Sequence, residues 1–151
     1  MRKVLFFLLL FSIGCFAFSQ DLWEGTKYGM SVDQVKNLFP SAVTPSEQST
    51  LRSGGKALLQ LENIIIGDGT FRALFYFNDS GLTQVNLIYI KGLYIHHVFD
   101  EISKLLTAKH GKPTSIERDY YSRQTTWVIN QTKIIIFWLE SFGLRVVYQA
   151  S

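Results

Sequence analysis

The chain has 151 residues, a formal charge of +3, 47% hydrophobic residues and a single cysteine, Cys15. Arg2, Lys3, Cys15 and a long apolar run all fall within positions 1–19, and the remainder, 20–151, carries 13 basic and 12 acidic side chains, a net of +1. That balance excludes a disulfide scaffold, a zinc–thiolate site, a cysteine nucleophile and a strongly basic nucleic-acid binder in the body of the chain.

Arg2 and Lys3 precede an apolar run over residues 4–18, interrupted only by Ser12 and Gly14. Ala17-Phe18-Ser19 then places small residues third and first before a cut ahead of Gln20. A basic start, a short apolar stretch and a small-residue end read as a secretory signal peptide over residues 1–19, so the expected location is secreted or periplasmic. The run is short for a membrane span, and no span is expected in the mature chain. An alternative location follows from Ser12-Ile13-Gly14-Cys15, a degraded lipobox that would make an outer-membrane lipoprotein through Cys15. Ser12 stands there where the motif wants Leu, and apolar residues rather than a polar tether follow Cys15.

Residues 20–151 read as one domain with no linker. Ser31 is placed to cap a first short helix, Gln34 is its capping-box partner, and Met30 can staple onto Val35. Val32, Val35, Leu38 and Phe39 keep helical spacing until Pro40 stops it. Residues 41–56 lack periodicity and contain Pro45, Gly54 and Gly55, which predicts a long loop, mobile or functional. Strands follow over 57–66 and 70–77 about Gly67-Asp68-Gly69, then over 82–90 after Asn78-Asp79-Ser80-Gly81. Ile95, Phe99, Ile102, Leu105 and Leu106 make the buried stripe of a second helix over 95–110, stopped by Gly111 and Pro113. Four more strands are predicted over 115–121, 124–130, 132–139 and 144–149. The sequons at Asn78 and Asn130 fall in turns, where Asn is expected in any case.

Segment 70–86 can be laid on 132–148 without a gap, matching Thr70 with Thr132, Phe75 with Phe137, Gly81 with Gly143, Leu82 with Leu144 and Val85 with Val147. The expected fold is therefore an α+β two-layer sandwich: an antiparallel sheet with two helices on one face. A tandem α-β-β-β repeat would divide it into halves at 20–92 and 93–151.

The segment Tyr28-Gly29-Met30-Ser31-Val32-Asp33-Gln34-Val35 resembles the helix start of small bacterial envelope proteins, the SmpA/OmlA outer-membrane lipoproteins and the β-lactamase-inhibitor-protein-like domains. The resemblance is confined to this short stretch and one arrangement of elements. Where the SmpA/OmlA pattern has Gly-x-Pro soon after the first helix, this chain has Phe39-Pro40-Ser41, and Gly111-Lys112-Pro113 follows the second helix instead. What the likeness implies is a non-enzymatic envelope or secreted interaction module.

No catalytic constellation is visible. No serine sits in a Gly-x-Ser-x-Gly elbow, and Ser53-Gly54-Gly55-Lys56 lacks the spacing of a phosphate loop. Gly67-Asp68-Gly69 lacks the further oxygen ligands of a calcium loop and reads as a turn. On the second helix His96 and His97 each stand one helical turn before a carboxylate, Asp100 and Glu101, but the two pairs point about 100° apart. With no third ligand in view they read as solvated surface residues, so neither a metal nor a cofactor is expected.

Strand alternation gives the better functional clue. Phe71, Ala73, Phe75 and Phe77 share one face, and the superposition of the two segments assigns Ile134, Ile136 and Trp138 to the opposite one. Strand 132–139 is apolar on both sides, unlike a strand with one wet face. The candidate partner-binding residues on the outer face are Arg72, Tyr76, Asn86, Trp138 and Tyr148, a mix typical of protein-binding patches. They point to an unknown protein or peptide partner, or a second copy in a homodimer, and not to nucleic acid. Competing expectations are that residues 41–56 or the Leu22–Trp23 segment cover this face, or that the strand is simply core. A lipid-anchored envelope-assembly factor and a small-ligand carrier are the alternative functions.

Overall fold

The computed structural model describes residues 20–151; the expected signal peptide and Cys15 lie outside the described residues. The element order is α1 (Val32–Leu38), β1 (Lys56–Ile66), β2 (Gly69–Asn78), β3 (Gly81–Gly92), α2 (Ile95–His110), β4 (Ser115–Arg118), β5 (Ser122–Ile129), β6 (Thr132–Leu139) and β7 (Gly143–Ala150). All seven strands form one antiparallel sheet in the order β1-β2-β3-β7-β6-β5-β4, so strand dominates and two helices accompany it. No helix among the described residues is long and apolar enough to cross a membrane.

α1 forms for the local reason read from sequence. Ser31 Oγ accepts from Gln34 N, Gln34 Oε1 accepts from Ser31 N at 2.8 Å, and Val35 is fully buried beneath the partly buried Met30. In α2 the buried residues are Val98, Phe99, Ile102 and Leu106. Leu105, expected in that stripe, is 50% exposed, while Val98, absent from the expectation, is buried. At 100° per residue position 105 lies at the margin of the arc that 95, 98, 99, 102 and 106 span.

Both helices bury their apolar sides in a single core. Val35 of α1 and Val98, Phe99, Ile102 and Leu106 of α2 cluster with Phe71, Ala73, Phe75, Val85 and Leu87 and with Trp127, Ile134, Ile136, Leu144, Val146 and Tyr148. Leu22, Trp23, Phe39 and Ala42 complete this layer beside α1, where Trp23 stacks on Phe39 with ring centroids 5.6 Å apart. Trp127 donates its indole N–H to Gly111 O at 3.1 Å, fixing the end of α2 over the sheet.

The ungapped superposition of the two segments does not survive the pairing. Asn78 opposes Gly81, so only Asp79 and Ser80 join β2 to β3, whereas Leu139 opposes Gly143 and β6 is joined to β7 by Glu140, Ser141 and Phe142. Side chains alternate with period two, so one extra residue exchanges the faces of a whole strand. Ile134, Ile136 and Trp138 consequently share the helix side with Phe71, Ala73 and Phe75, and Phe137 lies opposite them.

Residues 41–55 are not a free loop. Val43 and Gln60 exchange backbone bonds at 2.9 and 2.7 Å, Ala57 N donates to Ser49 O, and Leu51 N donates to Gly55 O. The segment thus runs along the outer edge of β1. The two ends of the described chain meet at a single carbonyl, since the Gln20 amide and the Ser151 N–H both donate to Gln131 O. Thr132 Oγ1 also donates to Asp21 O at 2.6 Å, holding the start of the described chain beside the β5–β6 turn.

Candidate functional site

The side of the sheet away from the helices carries the candidate site. Cross-strand partners share a face, so the pairing assigns it directly. One row crosses the sheet as Leu74, Asn86, Val147, Ile135 and Thr126, and the next as Arg72, Ile88, Arg145, Phe137 and Gln124.

Part of this face is closed. Leu51 of the 41–55 segment packs with Ala57, Leu74, Tyr76 and Ile88 in a second, smaller apolar cluster, and Ser49 Oγ lies 3.0 Å from the Tyr76 hydroxyl. Tyr76 is only 2% exposed as a result. Beyond this cover, Ile135, Phe137 and Leu139 of β6 are half-buried, and no second layer of helix or strand packs over them among the described residues. Phe142, 63% exposed, stands at the end of this row.

Arg145 is at the centre of the open part. It lies directly between Ile88 and Phe137, and its guanidinium sits 5.9 Å from the Phe142 ring. Its Nε is buried without a hydrogen-bond partner among the described residues. Arg72, by contrast, is satisfied: its Nε meets Glu62 Oε1 at 2.7 Å. Gln84 Nε2 donates to Asn86 Oδ1 at 2.7 Å, and Asn86 is 4% exposed. A buried donor without an acceptor costs free energy, and nothing among the described residues pairs with this one.

The candidates Arg72, Tyr76, Asn86, Trp138 and Tyr148, expected to form one patch, are divided between the two sides. Arg72, Tyr76 and Asn86 are on the side away from the helices, whereas Trp138 and Tyr148 face the helices. Tyr148 is 9% exposed within the main core, and burial, with the Glu24 carboxylate adding to it, pushes its phenol well above the ordinary value. Trp138 meets the His96 imidazole edge to face at 4.4 Å. Trp138 changes side because the β6–β7 connection is one residue longer, and Tyr148 because β3 has a bulge at Thr83, between the pairs Tyr76–Gln84 and Phe77–Leu82, that β7 lacks. The residues missed were Ile135, Phe137 and Arg145, and no signal in the sequence marked them, because the two connections have the same length when the segments are laid together and differ only in the pairing.

The expected pairs on α2 do diverge. Asp100 lies 3.6 Å from Arg123 and His96 packs on Trp138, while His97 and Glu101 turn to the β1–β2 connection. There Asp68, which nothing in the sequence places beside this helix, comes within reach of His97 and Glu101. A separate cleft of about 840 Å³ runs between Gln20–Gly25, Lys109–His110 and Ile129–Thr132, over Ile134. Burial, then the neighbouring Lys109 charge, lowers the His110 pKa there. Comparison with known proteins finds no matching family model, no matching curated protein and no matching solved structure.

Proposed function

We propose that the protein is a secreted or periplasmic binding module that takes a protein or peptide segment on the open face of its sheet. The contact centres on Phe137 and Arg145, beside the covered Ile88, with Ile135, Leu139 and Phe142 around it. The observation that carries this reading is the Arg145 guanidinium, lodged between two apolar side chains with a buried, unpartnered Nε among the described residues. Apolar contact area around a half-buried arginine is the composition of an interface hot spot. An acidic side chain or a free backbone carbonyl on the partner would satisfy it.

The test is capture from envelope extract by three immobilised forms: wild type, Arg145→Glu and Trp138→Ala. A specific partner retained by wild type should be lost about thirtyfold or more from Arg145→Glu, as removal of a hot spot of about 2 kcal/mol demands. Folded Trp138→Ala should keep it, because that ring is on the helix side. Equal retention by Arg145→Glu refutes the open-face site. Sedimentation of the protein alone distinguishes a second copy from a foreign partner. We also infer that the two halves are related units, supported by β1-β2-β3 and β5-β6-β7 running outward from the central β3–β7 pair.

A further inference from the structure

We propose that Asp68, His97 and Glu101 form a surface site for a borderline divalent transition metal of the zinc class, joining α2 to the β1–β2 turn. The three donors come from two elements. His97 and Glu101 are one helical turn apart and so face the same way from α2, and Asp68 is the tip of the turn between Ile66 and Gly69. One donor atom from each lies within 4.8 Å of the other two. His97 Nε2 and Asp68 Oδ2 are 3.4 Å apart. Ligand atoms around a tetrahedral zinc, each about 2.1 Å from the ion, stand about 3.4 Å from one another, so that pair is already at coordination spacing.

The third ligand is held in place by the turn itself. Asp68 N–H donates to Glu101 Oε2 at 2.9 Å, which leaves Oε1 free to bind. Gly67 has a positive φ of 54°, and a Cβ there would collide with the Glu101 carboxylate. The turn therefore has a gap in which the carboxylate lies, and a side chain at residue 67 would fill it. One imidazole and two carboxylates suit zinc, cobalt or nickel, and the imidazole disfavours calcium and magnesium, which take oxygen ligands. Water would complete the shell, because His97 and Asp68 side chains are 58% and 51% exposed.

The test is titration of untagged protein with Co²⁺, followed by visible absorption, and with Zn²⁺, followed by calorimetry. One ion per chain should bind, with Zn²⁺ displacing Co²⁺ and millimolar Ca²⁺ displacing neither. His97→Ala and Glu101→Gln should each weaken binding at least tenfold while the folded circular dichroism spectrum is kept. His96→Ala, adjacent in sequence but turned towards Trp138, should bind as wild type does. Absence of Co²⁺ absorption, or affinity that survives both His97→Ala and Glu101→Gln, or is lost instead with His96→Ala, overturns the site. Neither result bears on Arg145 and the open face.

Discussion

Replacing Trp138 by Ala removes a ring that packs on His96 and the main core, so its first effect is on stability. The midpoint of urea unfolding should fall by the equivalent of about 2 kcal/mol, less than the roughly 3–5 kcal/mol typical of a fully buried aromatic such as Trp127. Unchanged stability would place the ring outside the core. Residue identity was legible in the sequence: the alternation in 71–77 and the two-sided apolar character of 132–139 are both present. Residue side was not, because it depends on the length of a connection that Asn, Gly and Ser leave ambiguous. Asp68 was also out of reach. Its approach to His97 is a tertiary contact between a hairpin tip and a helix that begins only after β2 and β3, and no local spacing encodes it.

Among the elements, those with local causes were legible and those made by docking were not. α1 has only seven residues, too few for a helix to persist by propensity, so its capping box and the buried Val35 hold it. Ser31→Ala should cost about 1 kcal/mol, read as a lower thermal midpoint, with Ser31→Asp restoring most of it. A loss of under a few tenths would mean that packing alone holds α1. α2 ends at His110, as Gly111 and Pro113 dictate. The segment 41–55 looked like loop because its tertiary bonds run to β1 and Tyr76, partners invisible to periodicity. β4 is shorter than its sequence suggests, stopping at Arg118, and Tyr120 and Tyr121 fall in the turn, where their rings meet edge to face at 4.7 Å.

For the molecule as a whole, the His110 shift sets a dependence of stability on pH. Its folded-state pKa lies below the ordinary value of 6.5, so the unfolded chain takes up the proton first as pH falls. That contribution is complete above pH 6.5 and is lost progressively below it. Urea unfolding midpoints measured on either side of that value, near neutrality and in mild acid, should therefore differ more for wild type than for His110→Gln. Equal differences would remove His110 as the source. The meeting of Gln20 and Ser151 at Gln131 O has another consequence. The neighbour order of the sheet does not depend on which connection is open: within the described residues, a short link between residues 151 and 20 would keep every strand neighbour. New termini opened in the Glu140–Phe142 connection would then emerge beside Arg145. The architecture can thus present a fused sequence either at the Gln131 corner or on the open face.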